Sequence, residues 1–203
     1  DYHLKPMYWD TDADRQGFRY VNQWGPEHEA DLAIEYIQNA RGKFREADQP
    51  FALVVAMNPP HTPYSQVPQK YVERYKDKSL DQLLHDRPNI RPKGTKWGDY
   101  TRKHLRNYYA MVTGVDEQVG RILQALDETG VADNTIVLFT SDHGDCNGMH
   151  DHVTKTNPYE EALIVPFIIR WPGEIPARRD KLLISVPDIY PTLLDLMGLD
   201  DRI

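Results

Sequence analysis

Three short apolar runs, Phe51–Met57, Thr135–Thr140 and Leu163–Ile169, stand apart from one another across long polar stretches. Each is strand-sized and continuous rather than alternating, the pattern of a strand covered on both faces inside an α/β sheet. Between the first two lies the longest helical pattern, Asp99–Glu128. Its apolar residues at Leu105, Tyr108/Tyr109, Val112, Val115, Val119, Ile122/Leu123 and Leu126 keep a 3.6-residue period, and Gly130 offers a C-terminal cap. Glu27–Phe44 has the same spacing through Ala30, Ala33/Ile34, Ile37 and Ala40. Val67–Tyr75 reads as a short helix, residues 76–95 as a polar surface excursion and Leu182–Val186 as a fourth strand. Asp188–Met197 reads as a helix closed by Gly198, and the first 25 residues as an irregular segment. Alternating strand, loop and helix predict an α/β fold with a largely parallel sheet flanked by helices.

Composition narrows the function classes. The 203 residues suit one domain or part of a larger one, and 40% hydrophobic residues suffice for a core. A net charge of -7 without a continuous basic run argues against a nucleic-acid partner, whose binding rests on phosphate neutralisation. No apolar stretch reaches the roughly 18 residues of a membrane span. A single cysteine, Cys146, rules out a disulfide within the chain.

The chemistry-bearing residues gather where apolar runs end. Thr135–Thr140 leads straight into Ser141-Asp142-His143-Gly144-Asp145, and open α/β sheets bind ligands beyond the carboxyl ends of their strands. Asp142 offers a hard oxygen and His143 a nitrogen, suited to Ca²⁺, Mg²⁺, Mn²⁺ or Zn²⁺. Gly144 permits close backbone approach or a positive φ. The same loop also reads as a solvated turn in which Asp142 binds backbone amides. Cys146, His150, Asp151 and His152 match no structural zinc spacing, so His150 and His152 are read as a second tier near an active site rather than as ligands. Lys155, thirteen residues past Asp142, is a possible clamp on a sulfate or phosphate oxygen. His61 lies in Asn58-Pro59-Pro60-His61-Thr62-Pro63, a stiff loop at the end of the first apolar run that suits a general acid.

Taken in order, these segments resemble the sulfatase family of the alkaline-phosphatase-like superfamily. FALVVAMNPPHTPY is similar to its strand and Asn-x-Pro-His-x-Pro loop. YYAMVTGVDEQVGRILQALDETGVADNTIVLFTSDHGD is similar to its helix, strand and metal loop, and KTNPYEEALIVPFIIRWPG to its Lys-bearing stretch and following strand. The resemblance implies Asp142 and His143 as metal ligands, Lys155 as a sulfate contact, and His61 as a sulfate contact or acid for the leaving oxygen. It implies a divalent cation, with Ca²⁺ ahead of Mg²⁺ or Mn²⁺, and a formylglycine nucleophile. The family's Cys- or Ser-x-Pro-x-Arg motif is absent, as are its N-terminal Asp pair and Lys-Trp-His segment. Residues 1–203 are therefore expected to be the distal part of one sulfatase-type catalytic domain. The N-terminal strand, the nucleophile segment and the C-terminal subdomain would lie outside it, so the chain alone should be inactive. The implied substrate is a small-molecule or carbohydrate sulfate ester, the missing N-terminal segment is a possible partner, and the implied compartment is periplasmic, secreted or lysosome-like. Two alternatives stay open: a phosphonate or phosphodiester hydrolase of the same superfamily, and a non-catalytic binding module.

Overall fold

The computed structural model describes residues 2–9, 17–46, 49–84 and 89–199. The chain divides into two compact units, Asp1–Pro172 and Gly173–Ile203. In the first, the order is β1 (Met7–Trp9), β2 (Phe18–Tyr20), α1 (Gly25–Gln38), α2 (Gln69–Glu73), α3 (Leu80–Leu83), α4 (Lys96–Glu128), β3 (Val137–Thr140), α5 (Glu160–Leu163) and β4 (Phe167–Arg170). Single 3₁₀ turns lie at Ala40–Gly42, Ala132–Asn134 and Met149–Asp151.

The 33-residue helix α4 is the axis of this unit. It starts where the Thr95 hydroxyl accepts the Gly98 amide at 3.1 Å, with Asp99 in the first turn complementing the helix dipole. It ends as expected, with Gly130 at φ 74°. Its buried stripe keeps Leu105 and Leu126 of the expected one but is rotated towards Met111, Gly114, Gln118 and Ala125, while Val112 is 41% exposed. Bulk explains the rotation. Trp24 and Tyr71 pack so closely on α4 that a Cβ at position 114 would lie 2.5 Å from the Trp24 ring, so the glycine makes room for the indole. Trp24, Tyr64, Val67, Tyr71, Ala110 and Met111 form one core cluster; Ile37, Ala125, Leu126 and Ala132 form a second. The buried Gln118 amide is matched at both ends, donating to the Tyr71 hydroxyl at 3.0 Å and accepting from Arg121 at 2.7 Å.

Two helices are shorter than their periodicity. α1 stops at Gln38, where Asn39 turns left-handed at φ 45° and its side-chain oxygen binds the Phe44 and Arg45 amides at 3.0 and 3.2 Å. A side chain that binds backbone in a non-helical conformation outcompetes the next helical turn. α2 covers only the middle of the expected 67–75 segment.

The strands differ most from expectation. The first residues form a hairpin rather than an irregular segment, with Met7 opposite Tyr20. β3 and β4 pair antiparallel, Val137 opposite Arg170 and Thr140 opposite Phe167. The domain is α/β, but the expected parallel pairing is not formed among the described residues. Parallel neighbours need a crossover, usually helical; the stretch between β3 and β4 carries only the four-residue helix α5, and the chain turns back on itself. Phe51–Met57 adopts no ladder, and Val54 is 90% exposed.

In the second unit, α6 (Val186–Leu196) begins at a capping box in which Ser185 and Asp188 exchange hydrogen bonds, the Ser185 amide donating at 2.7 Å. The fourth strand expected at 182–186 is absent: the chain is irregular up to this cap. No described helix is long and apolar enough to cross a membrane.

The rotated stripe makes a prediction. Met111→Ala should lower unfolding stability by about 2–5 kcal/mol, whereas Val112→Ala should cost less than about 1 kcal/mol; urea denaturation of both variants separates the two registers, and equal costs would refute the packing described.

Candidate functional site

β3 delivers the chain into the loop 141–159. Asp142 is exposed, and its Oδ1 accepts the His143 amide at 2.9 Å. The His143 Nδ1 lies 2.7 Å from the Gly144 carbonyl. A carbonyl can only accept, so Nδ1 carries the proton and Nε2 presents its lone pair. That lone pair receives the Lys155 ammonium at 2.6 Å and lies 3.3 Å from Asp142 Oδ2. Three residues singled out in the sequence thus meet at one nitrogen.

Gly144 serves by close approach rather than positive φ. Its amide binds the Ala162 carbonyl at 2.9 Å, and a Cβ would lie 2.1 Å from the Glu161 carbonyl oxygen. Asp145 closes the loop: Oδ1 accepts the amides of Asn147 and Thr154 at 2.7 and 3.0 Å, and Oδ2 accepts the Tyr64 hydroxyl at 2.7 Å. The amide-binding role weighed for Asp142 belongs chiefly to Asp145. Burial, and then the Asp145 carboxylate, push the Tyr64 phenol well above its ordinary pKa, so it stays a donor. Lys155 sits between Thr154 at φ 63° and Thr156 at φ 73°. β-Branched residues rarely adopt this region, and each costs on the order of 1–3 kcal/mol.

Tyr64 belongs to the loop that carries His61, and the two loops meet: the His61 and His143 rings are 6.5 Å apart at 68°. His61 Nδ1 donates to the Thr62 carbonyl at 2.8 Å, which leaves Nε2 as its working nitrogen. The N-terminal segment backs this loop. His3, 1% exposed, donates from Nε2 to the His61 carbonyl at 2.9 Å, and its amide binds Gln66 Oε1 at 2.6 Å. Burial holds its pKa below the ordinary value, against the pull of its backbone bonds. Sequence reasoning missed His3 and Asp145. His3 stands in a stretch with no periodicity, and Asp145 gave no signal beyond its place in the loop.

His150 and His152 turn elsewhere. His150 Nε2 lies 3.0 Å from Glu161 Oε2, and its ring stacks on Tyr159 at 3.9 Å; His152 tilts against the same tyrosine at 5.6 Å. Arg91 binds Asp151 between them with both arms, its Nε donating at 2.8 Å. Cys146 is buried against Asn157, and burial pushes its thiol up, which suits a packing residue rather than a nucleophile.

Asp142 and His143 place an oxygen and a nitrogen donor 3.3 Å apart, close enough for both to reach one cation. No group of three or more His, Cys, Asp or Glu able to hold a metal occurs among the described residues. Two ligands are too few for tight binding, since affinity grows with ligand number and charge.

The sulfatase family model matches residues 6–199. The chain is 42% identical, over its whole length, to an endo-4-O-sulfatase of Bacteroides thetaiotaomicron, of which it spans 39%. It is 35% identical over 98% of its length to an ulvan-active sulfatase of Formosa agariphila, spanning 37% of that protein. A Bacteroides fragilis protein solved as a candidate sulfatase superposes over all of this chain and 43% of its own, with a TM-score of 0.92 and 55% identity. The chain thus spans about two fifths of these proteins' lengths.

Two outcomes are expected. Asp145→Asn turns an amide toward two N–H donors and should cost about 2–4 kcal/mol, with faster hydrogen exchange at Asn147 and Thr154; an unchanged urea midpoint would remove Asp145 from its clamping role. For His3, whose folded pKa lies below its unfolded value, protonation favours unfolding. Stability should therefore fall as pH drops from about 6.5 towards the lowered folded value. Comparing His3→Gln with the parent at pH 5 and pH 7 checks this, and parallel losses in both proteins would contradict it.

Proposed function

We propose that this chain, which belongs to the sulfatase family, forms one wall of a site that hydrolyses the sulfate esters of a carbohydrate polymer. The observation that carries the reading is the meeting of Lys155, His143 and Asp142 at one imidazole nitrogen, with His61 facing them across 6.5 Å. These are the groups that sulfate transfer needs: a cation for the anionic oxygens, ligands for a metal, and an acid for the leaving alcohol.

Asp142 and His143 would hold a divalent cation, for which Ca²⁺ is our first assignment; when bound, it would neutralise charge developing on the sulfate oxygens. The His143 Nε2 lone pair cannot serve the cation and the Lys155 ammonium together. Occupation of the site would therefore free Lys155, by competition and by charge repulsion, for a sulfate oxygen. The Thr62 carbonyl fixes the His61 proton on Nδ1. A proton on Nε2 is then the one that His61 delivers to the leaving oxygen. We assign attack on sulfur to a formylglycine outside these residues, because Cys146 is buried and lies in no Cys-x-Pro-x-Arg context. The assignment of a polymer follows from the relatives, one named for endo-4-O-sulfate removal and one for activity on ulvan. Residues 1–203 are assigned to the distal part of a single catalytic domain.

In the natural-length protein, Lys155→Ala and Asp142→Ala should each lower kcat/KM for sulfate release from a 4-O-sulfated oligosaccharide by about 10²–10³. His61→Ala should lower it by about 10²–10⁴. The exposed Lys155 and Asp142 variants should stay within about 0.5 kcal/mol of parental stability. Ion chromatography of released sulfate measures the effect; activity that survives Lys155→Ala or Asp142→Ala would sink the assignment. The 203 residues alone should release no sulfate from an aryl sulfate.

A further inference from the structure

An acidic chain concentrates six cations between residues 91 and 106, against one carboxylate, Asp99. The fold gathers them at the start of α4. There, a shallow groove of about 550 Å³ is lined by Leu80, Asp81, Lys93, Asp99, Arg102 and Lys103. Its lining carries three cations and two carboxylates, so the groove is net cationic by one charge within the larger cationic run. Asp99 accepts the Gly94 amide at 2.9 Å, and Arg102 directs its donors to the carbonyls of Arg91 and Gly98, both at 2.9 Å, with no ion-pair partner among the described residues. Arg106 likewise donates to a carbonyl, that of Lys78, at 3.0 Å. Lys93 and Lys103 are exposed, and neither has an ion-pair partner among the described residues. The charge is felt nearby: after burial, Lys103 is the cause that lowers the pKa of His104.

The groove is tied to the candidate site through covalent neighbours and hydrogen bonds. Arg102 holds the Arg91 carbonyl, the Arg91 guanidinium holds Asp151, and Asp151 lies in the loop that runs from Asp145 to Lys155. Gly148 of that loop sits against α4 so closely that a Cβ would lie 2.4 Å from Thr101 Oγ1.

We propose that the groove formed by Lys93, Arg102 and Lys103 is an accessory subsite that binds the sulfate and carboxylate groups of a polyanionic glycan outside the candidate site itself. The proposal rests on the sulfatase reading for the identity of the ligand, and on the groove's own charge for its location. A shallow, open, cationic surface suits an extended flexible polyanion better than a compact small molecule, which binds in enclosed, mostly apolar pockets. It would raise the local concentration of polymer without touching the reacting bond, so it would act on KM and leave kcat alone.

The test uses the natural-length protein and its Lys93→Ala/Lys103→Ala double variant. The probes are a chondroitin 4-sulfate polymer, the sulfated disaccharide derived from it, unsulfated hyaluronan and double-stranded DNA. The double variant should raise the KM and Kd for the sulfated polymer about three- to tenfold, as expected for the loss of two exposed cations, and weaken the salt dependence of binding. Its kcat, and its kcat/KM for the disaccharide, should stay at parental values. Unchanged polymer affinity overturns the subsite, and so does an equal loss on polymer and disaccharide. Parental binding of DNA or hyaluronan as tight as that of the sulfated polymer overturns the assignment to a sulfated glycan. If the parent releases sulfate from neither substrate, the sulfatase reading fails, while the calorimetric Kd comparison still decides the subsite.

Discussion

One carboxylate joins the two halves of the candidate site. Asp145 binds two amides of its own loop through one oxygen and the Tyr64 hydroxyl through the other. Tyr64 is 2% exposed and packed in the core cluster with Trp24, Tyr71 and Met111, so the bond reaches from the loop to the interior. Without it, the loop bearing His61 and the loop bearing His143 would share little more than a ring contact at 6.5 Å. A charged acceptor with three donors is among the stronger arrangements a partly buried carboxylate can make. It also allows the strain at Thr154 and Thr156 to persist, because the same clamp holds the Thr154 amide.

That arrangement sets up a competition at His143. A neutral imidazole with its proton fixed on Nδ1 offers one lone pair, and both a metal and an ammonium can use it. Lys155 holds Nε2 at 2.6 Å, and Asp142 Oδ2 lies 3.3 Å from the same nitrogen. Under the proposed reading, a cation would compete with Lys155 for that nitrogen. Because Lys155 is exposed, leaving the imidazole would cost it little beyond one hydrogen bond.

Much of this was legible from local pattern, and what was not has a common cause. The long helix and the loop after Thr140 followed from periodicity and from strand ends, and the grouping of His61, Asp142, His143 and Lys155 from the order of the motifs, their roles being proposals. Strand pairing did not. A continuous apolar run shows that a segment seeks cover on both faces, but not which neighbour supplies it, nor in which direction. Phe51–Met57 shows this, forming no ladder among the described residues. Within the inward stripe of α4, Val112 was misplaced for a related reason. Hydrophobicity ranks Val112 above Gly114, whereas the Trp24 ring needs the space that only the glycine leaves. His150 and His152 were grouped with the site by proximity in sequence. The left-handed turn at His150, φ 54°, sends its ring to Tyr159 and Glu161 instead.

Helix α4 links the packing to the surface chemistry. Met111 and Ala125 bury one face of it in the two clusters, and its first turns carry Lys96 and Lys103 exposed and Arg102 and Arg106 half-buried. A cluster of like charges is destabilising in itself, since repulsion among exposed cations is offset only partly by water. The carbonyl acceptors of Arg102 and Arg106 anchor those side chains without neutralising them. Were the cluster needed only for folding, carboxylate partners would lower its energy at no cost to the core. Among the described residues of this cluster, the Arg91–Asp151 pair alone follows that logic, and it fastens the helix start to the loop of the candidate site. The contrast between that paired arginine and the neighbouring cations without a carboxylate partner is the ground on which the proposed glycan subsite rests.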